Sequence, residues 1–220
     1  MSKRWVIRAA IGAVVIVGAV VGIAIAQRPQ YEEGTNVVFF GDSWTEGYSA
    51  EPHAKGFAYL VGEQMVWDFT VDGRAGTGYA NGGNGGKTFI DRMETVTDTD
   101  AQLLILQGGL NDESQPLPAV KRAISDTLEA AKFHYPNARI IVLGPAPSSL
   151  PLTDSLRAID DALKSAASAQ GIRYISPIAE RWITRGNWAN VISVEGLYHP
   201  STAGHEYLAS RLARDLKGFR

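Results

Sequence analysis

The chain has 220 residues, of which 45% are hydrophobic and 20% charged, with no cysteine and a formal net charge of −2. This composition is typical of a globular protein with one sizeable core, and it excludes a disordered chain, a collagen-like repeat, a disulfide scaffold and a thiol nucleophile. Positions 1–28 hold four of the 21 basic residues and no acid, so the rest of the chain has 17 basic and 23 acidic residues, a net charge of −6 that argues against a nucleic-acid partner.

The first feature along the chain is an uncharged apolar segment from Ala9 to Ala26, which follows Lys3, Arg4 and Arg8. As a helix it would be about 27 Å long, slightly short of a hydrocarbon core of about 30 Å. It is nevertheless longer than the apolar part of most signal peptides, which is about 7 to 15 residues. Its last three residues, AIA, have the small-x-small form of a cleavage site.

We therefore expect residues 1–26 to be a signal peptide or an N-terminal membrane anchor. The polar residues 27–35 are interpreted as a linker, and residues 36–220 as the folded domain. The basic residues at the start keep the N-terminus in the cytoplasm in either case. Both alternatives predict an extracytoplasmic domain, either secreted or tethered to the membrane by the N-terminal helix.

Strand and helix patterns alternate along the rest of the chain. The predicted strands are NVVFFGD, MVWDFTV, AQLLILQ, ARIIVLG and GIRYISP, and the predicted helices are GFAYLVGEQMV, TFIDRMETV, Leu117 to His134, 152–170 and 201–217. The apolar runs show no alternation of apolar and polar residues, which is typical of parallel strands buried on both faces. The sequence predicts a single three-layer α/β/α domain with a mainly parallel five-stranded sheet.

Ligands of such sheets bind beyond the carboxyl ends of the strands, so the residues after each predicted strand are candidates for a site. These segments are GDSWTEG, DGRAGTG, GGLND and GPAPSS, and each one taken singly has an ordinary turn composition. Ser43 directly follows the first strand, where the next helix can direct its N–H groups, and this position suits a nucleophile. The surrounding residues do not form a GxSxG elbow, because Thr45 occupies the last glycine position.

A serine nucleophile requires a base, and histidine is the usual one. Among the four histidines, His199 lies in the turn-like segment LYHPSTAG, whereas His205 falls inside the last predicted helix, where packing or capping is expected. The spacing of the four histidines matches no common metal-binding pattern, so we expect no metal and no other cofactor.

The blocks GDSWTEG at 41–47, Gly76, Gly109-Leu110-Asn111-Asp112 and His199-Pro200 resemble, in order and spacing, the four blocks of the SGNH or GDSL hydrolases, a family of esterases and lipases. The resemblance spans about residues 36–217 and implies the flavodoxin-like fold of that family. It also implies that Ser43 is the nucleophile and His199 the general base. The oxyanion hole would consist of the backbone N–H groups of Ser43 and Gly76 and the side-chain amide of Asn111.

The sequence departs from the family at the position of the catalytic acid. The family normally has an aspartate three residues before the histidine, and that position is Gly196 here, preceded by Glu195. We expect Glu195 to complete the triad. The alternatives are a Ser-His dyad whose imidazole is oriented by a backbone carbonyl, and a weakened enzyme. Asp42 and Asp112 are interpreted as hydrogen-bonding anchors of the turns that hold Ser43 and Asn111.

These observations predict an exported serine esterase that hydrolyses carboxylic esters through an acyl-enzyme on Ser43. The expected substrate is a small-molecule, lipid or glycan ester. One alternative is an acyltransferase that uses the same site on cell-surface glycans, and another is a catalytically idle binding module. Four aromatic residues near the strand ends are expected to belong to the core rather than to a pocket: Trp44, Tyr48, Tyr79 and Trp188.

Overall fold

A computed structural model describes residues 32–97 and 99–217. The expected signal peptide or anchor, residues 1–26, lies outside the described residues, as does most of the expected linker. Within the part of the chain that is described, no helix has both the length and the apolar character needed to cross a membrane.

The described residues between Asn36 and Lys217 form seven strands and seven α-helices. The strands are β1 (Asn36–Gly41), β2 (Asp68–Gly73), β3 (Leu103–Gln107), β4 (Arg139–Leu143), β5 (Arg173–Ile175), β6 (Ile192–Ser193) and β7 (His199–Pro200). The helices are α1 (Ser43–Glu46), α2 (Phe57–Gln64), α3 (Phe89–Met93), α4 (Leu117–His134), α5 (Asp154–Ala169), α6 (Trp188–Val191) and α7 (Thr202–Lys217).

The first five strands form one parallel sheet in the order β2-β1-β3-β4-β5. Phe39 of β1 is in register with Val71 of β2 on one side and with Ile105 of β3 on the other. This is the flavodoxin-like strand order, in which the chain changes its direction of growth beside β1. The loops that follow β1, β2 and β3 therefore meet at one edge of the sheet, which is where such folds bind ligands.

Hydrophobic clusters cover both faces of the sheet. Val37 and Phe39 pack with the residues of α2 and α7 on one face, while Val38 and Phe40 pack with those of α3, α4 and α5 on the other. All five residues of β3 are buried, as expected for a strand with a helical layer on each side. The predicted three-layer α/β/α architecture with a parallel five-stranded sheet is confirmed.

The prediction that no strand alternates is wrong for β2. This strand lies at the edge of the sheet, where exposed and partly buried residues alternate over its first half. It also begins at Asp68 rather than Met65, because the chain turns between α2 and β2, where Val66 has a left-handed φ of 54°. The left-handed conformation of Val66 lies outside both the helical and the extended regions, so this residue belongs to neither element.

Candidate active site

Ser43 is the first residue of α1 and directly follows β1. The side chain of Asp42 caps this short helix by accepting a hydrogen bond from the backbone N–H of Trp44 at 2.8 Å. The preceding strand end has no room for a side chain, because a Cβ on Gly41 would lie 2.3 Å from Thr45 Oγ1. The tight turn from strand to helix therefore holds the Ser43 hydroxyl at the carboxyl edge of the sheet.

Asp42 is fully buried, and its carboxylate also accepts a hydrogen bond from Gln107 Nε2 at 3.3 Å. Burial raises the pKa of Asp42 to about 7, against the opposing effect of the hydrogen bonds from Trp44 and Gln107. The Gln107 amide oxygen accepts a hydrogen bond from the Thr45 hydroxyl at 2.6 Å. Asp42 thus anchors the turn that carries Ser43.

His199 lies on β7, which pairs with β6 in a short antiparallel ribbon just before α7. Its Nε2 is 2.8 Å from Ser43 Oγ, and its Nδ1 is 2.9 Å from the carbonyl oxygen of Gly196 and 3.1 Å from that of Leu197. A carbonyl only accepts hydrogen bonds, so Nδ1 must carry the hydrogen. Nε2 then presents a lone pair to the serine, and the Ser43 hydroxyl donates to it.

The carboxylate of Glu195 does not hold the His199 ring. It accepts a hydrogen bond of 3.5 Å from the Ser193 hydroxyl, whereas the Nδ1 side of the His199 ring lies against backbone carbonyls. The usual aspartate would be crowded at Gly196, because a Cβ there would lie 2.0 Å from Ser49 Oγ and 2.7 Å from Ser49 Cβ, so the Ser49 side chain would have to move. This geometry favours the alternative interpretation, a dyad oriented by the main chain.

The aromatic ring of Tyr48 lies beside the imidazole of His199, and the centroids of the two rings are 4.4 Å apart. The backbone carbonyl of Tyr48 is 3.1 Å from Nε2 of the buried His205, whose Nδ1 accepts a hydrogen bond from the Phe57 N–H at 3.2 Å. Burial lowers the pKa of His205 to about 4, so its ring is neutral near pH 7. His205 therefore has the packing role expected from its place in the helix, and it fixes Tyr48 against His199.

Gly76 occupies the third position of a turn that begins at Arg74 and is closed by a hydrogen bond of 3.3 Å from the Thr77 N–H to the Arg74 carbonyl. Its φ of 78° is left-handed, which favours glycine at this position. Asn111 follows β3, and its side-chain amide donates to the Thr77 carbonyl at 2.8 Å. The structure thus brings the Gly76 turn and Asn111 together beside the strand end that carries Ser43.

Asp112 holds the glycine-rich loop that continues from this turn. Its buried carboxylate accepts hydrogen bonds from the backbone N–H groups of Tyr79, Ala80 and Asn81, at 3.0 Å, 2.8 Å and 3.1 Å. Burial raises the pKa of Asp112, although these three donors act in the opposite direction. The Asn81 side chain adds a hydrogen bond of 2.8 Å to the carbonyl of Asn111.

Two of the four aromatic residues considered in the sequence, Trp44 and Tyr79, are buried in the two clusters that cover the sheet. Trp188 is partly buried and donates from its indole to the carbonyl of Ser148 at 2.9 Å. Tyr48 is the one that contacts a candidate catalytic side chain, and its ring is only partly buried.

Sequence reasoning missed Arg92, whose buried guanidinium contacts the end of β1 and the Gly76 turn. The available signal was an arginine in the middle of TFIDRMETV, a segment with an otherwise apolar face, together with Asp72 at the end of the second strand. An arginine in a helix is usually exposed, so this signal alone predicts a surface residue.

The parallel sheet and the serine and histidine at its carboxyl edge are features of ester hydrolases of this architecture. Residues 39–207 match the GDSL-like lipase/acylhydrolase family, and the chain belongs to this family. The resemblance stated from the sequence is thereby confirmed, and the protein is an esterase or lipase by family.

Known proteins similar to this chain include a GDSL lipase of Mycobacterium tuberculosis, 29% identical over 92% of this chain and 93% of the relative. A carbohydrate esterase of family two from Clostridium thermocellum, in complex with cellohexaose, has a similar structure, with a TM-score of 0.66 and 18% identity over 85% of this chain and 65% of that chain. A GDSL-like lipase structure from Bacteroides ovatus has a TM-score of 0.63 and 15% identity over 85% of this chain and all of that chain.

Proposed function

We propose that this protein is an exported serine esterase that hydrolyses carboxylic esters through an acyl-enzyme on Ser43. The observation that carries this proposal is the contact of 2.8 Å between Ser43 Oγ and His199 Nε2. The carbonyls on the far side of the ring assign its hydrogen to Nδ1, so the nitrogen that faces the serine is the basic one. Family membership supports the same chemistry.

In the proposed mechanism, His199 Nε2 takes the hydroxyl proton as Ser43 Oγ attacks the ester carbonyl carbon. The negative charge that develops on the carbonyl oxygen is stabilised by the N–H groups of Ser43 and Gly76 and by the Asn111 amide. The protonated His199 then gives its proton to the leaving alcohol, and an acyl-enzyme remains. A water molecule, deprotonated by the same nitrogen, then attacks the acyl carbonyl carbon. The bond to Ser43 Oγ breaks, His199 returns the proton to that oxygen, and the carboxylic acid leaves.

We propose that Ser43 and His199 work as a dyad and that the Gly196 carbonyl takes the place of the usual acid. The carbonyl holds Nδ1–H in the correct tautomer, which is one of the two tasks of a triad carboxylate. The other task, stabilisation of the imidazolium charge, falls to the carbonyl dipoles of Gly196 and Leu197.

The substrate is proposed to be a small-molecule, lipid or glycan ester. Two kinds of relative support this range: a GDSL lipase, and structural neighbours described as a carbohydrate esterase and an acetyl xylan esterase.

We further propose that residues 1–26 direct the domain out of the cytoplasm, as a cleaved signal peptide or as a retained anchor. A fusion of residues 1–35 to alkaline phosphatase should be active in a bacterial host, whereas a fusion without residues 1–26 should be inactive.

The test of the catalytic proposal uses the Ser43→Ala variant. It should lose hydrolysis of p-nitrophenyl acetate and covalent labelling by a fluorophosphonate, with an unchanged circular dichroism spectrum, because the hydroxyl is the attacking group. The matched control is Ser165→Ala, which removes an exposed serine on α5 and should be labelled like the wild type. Undiminished labelling of Ser43→Ala would overturn the mechanism.

A further inference from the structure

Arg92 on α3 is a buried cation outside the set of residues assigned above, with a side chain only 2% exposed. Its guanidinium lies 4.2 Å from the centroid of the Phe40 ring. One terminal nitrogen donates to the Gly41 carbonyl and to the Thr77 hydroxyl, both at 2.8 Å. The other donates to the Asp72 carbonyl at 2.7 Å and to the Asp72 carboxylate at 2.9 Å. One side chain therefore joins the ends of β1 and β2 to the Gly76 turn.

These contacts fix both ends of the turn that presents the Gly76 N–H. At its start, the Arg74 N–H donates to the same Gly41 carbonyl at 3.1 Å. At its end, the Thr77 hydroxyl accepts from Arg92 and donates to the Arg74 carbonyl at 2.8 Å. Gly41 lies two residues before Ser43, so the turn is held in a fixed position relative to the nucleophile.

Asn111 is also hydrogen-bonded to Thr77, because its side-chain amide donates to the Thr77 carbonyl at 2.8 Å. The position of Thr77 thus affects two of the three candidate oxyanion donors. The planar guanidinium, with its donors in a fixed geometry, suits four acceptor atoms on three residues that face it from β1, β2 and the Gly76 turn. A lysine ammonium at this position is a point charge on a flexible side chain and cannot reproduce the planar arrangement of hydrogen bonds that the guanidinium makes.

We propose that Arg92 is a positioning residue for ester hydrolysis, which sets the separation between Ser43 and the oxyanion donors Gly76 and Asn111. The inference rests on the proposed function, since it assumes an oxyanion at this place. Arg92 does not contact the reacting atoms, and it acts through the Gly41 carbonyl and the Thr77 hydroxyl.

The first test is Arg92→Lys, which keeps the positive charge and removes the planar guanidinium group. We expect kcat to fall by roughly tenfold to a hundredfold, less than the loss caused by removing an oxyanion donor outright, with KM within about twofold of the wild-type value. Binding of trifluoroacetophenone should weaken by a similar factor, because its hemiketal oxygen occupies the site of the oxyanion. The control is Leu212→Ala, which truncates a buried residue of α7 on the other face of the sheet and should lower stability while preserving kcat.

A second pair of variants tests the hydrogen bond between Arg92 and the Thr77 hydroxyl. This pair also tests the proposal if Arg92→Lys folds poorly. Thr77→Val keeps the shape of the side chain but removes the hydroxyl, and should lower kcat in the same way as Arg92→Lys. Thr77→Ser keeps the hydroxyl and should retain the wild-type kcat. Because both changes break the hydrogen bond between Arg92 and the Thr77 hydroxyl, the double variant Arg92→Lys/Thr77→Val should lose less kcat than the product of the two single losses.

The outcomes separate this proposal from the proposed function. Full labelling of Ser43→Ala would remove the serine mechanism and, with it, the role of Arg92. If Ser43→Ala is inactive as expected, but Arg92→Lys and Thr77→Val both keep kcat within about threefold of the wild type, the positioning role is overturned and the esterase mechanism stands. A loss of kcat in Leu212→Ala equal to that in Arg92→Lys would also overturn it, because the effect would then follow stability alone.

Discussion

The carbonyl oxygen of Gly196 accepts two hydrogen bonds from His199, one from its backbone N–H at 3.1 Å and one from its ring Nδ1–H at 2.9 Å. The main-chain turn that brings His199 to Ser43 therefore also sets the orientation of the imidazole. No carboxylate is needed to select the tautomer that leaves Nε2 free to act as the base. A neutral carbonyl, however, stabilises the imidazolium less than a carboxylate does.

The first prediction concerns Glu195. Glu195→Gln should keep kcat within about threefold of the wild type, because the Nδ1 hydrogen is held by carbonyls and the carboxylate is bound to Ser193. Steady-state kinetics with p-nitrophenyl acetate measure this, with Glu206→Gln on α7 as the exposed control. In a serine protease triad the acid-to-amide change lowers kcat by about ten-thousandfold, and a loss of that size here would restore Glu195 as the third catalytic group.

The second prediction concerns the position of the usual acid. Gly196→Asp should lower the free energy of unfolding by roughly 1–3 kcal/mol, because its Cβ would lie 2.0 Å from Ser49 Oγ and the neighbouring side chain must move. Ser49 has a φ of 70°, which glycine adopts without strain, so Ser49→Gly should remove the obstacle and recover the lost stability. Equal melting temperatures for Gly196→Asp in the two backgrounds would contradict this account.

The third prediction concerns Asn111. Asn111→Ala should lower kcat by roughly a hundredfold to a thousandfold, with little change in KM, because in the proposed mechanism the amide acts on the transition state rather than on the bound ester. Single-turnover measurement of acylation by p-nitrophenyl acetate isolates the affected step. A rise in KM at constant kcat would instead indicate that Asn111 binds the substrate.

The fourth prediction is a pH dependence of stability that originates in Asp42. Its pKa is raised from 3.8 to about 7, so between these two pH values the folded protein binds more protons than the unfolded chain. Stability contributed by the neutral form is fully present below about pH 4 and is lost as the pH rises to about 7. The wild type should therefore become less stable relative to Asp42→Asn by up to about 4 kcal/mol between pH 4 and pH 8. Urea unfolding of both proteins at these two pH values measures the difference, and a constant difference would show that Asp42 ionises normally.

Much of the fold could be predicted because the central strands are covered on both sides. The runs that became β1, β3 and β4 are apolar without alternation, and this pattern specifies a buried parallel strand. The boundaries of β2 could not be predicted as well. Its apolar residues before Asp68 belong to a left-handed turn at Val66, and propensity does not show where a chain reverses.

The positions of Ser43, Gly76 and Asn111 could be predicted, because each lies in a short segment that follows a strand, whereas the roles of Gly76 and Asn111 are implied by the family resemblance. The partner of His199 Nδ1 could not be predicted, because the direction of a backbone carbonyl depends on local dihedral angles rather than on residue type. Arg92 was missed for a related reason. Its burial is made possible by acceptors on β1, β2 and the Gly76 turn, which only the tertiary structure brings together.

Ser43 and His199 lie 156 positions apart in the chain, and His199 directly precedes the last helix. During synthesis the serine therefore leaves the ribosome well before the histidine does. In the proposed mechanism the histidine activates the hydroxyl, so a chain that has not reached position 199 carries an ordinary alcohol at position 43. In the proposed mechanism, reactivity towards esters therefore begins only once His199 has been synthesised and lies against the serine.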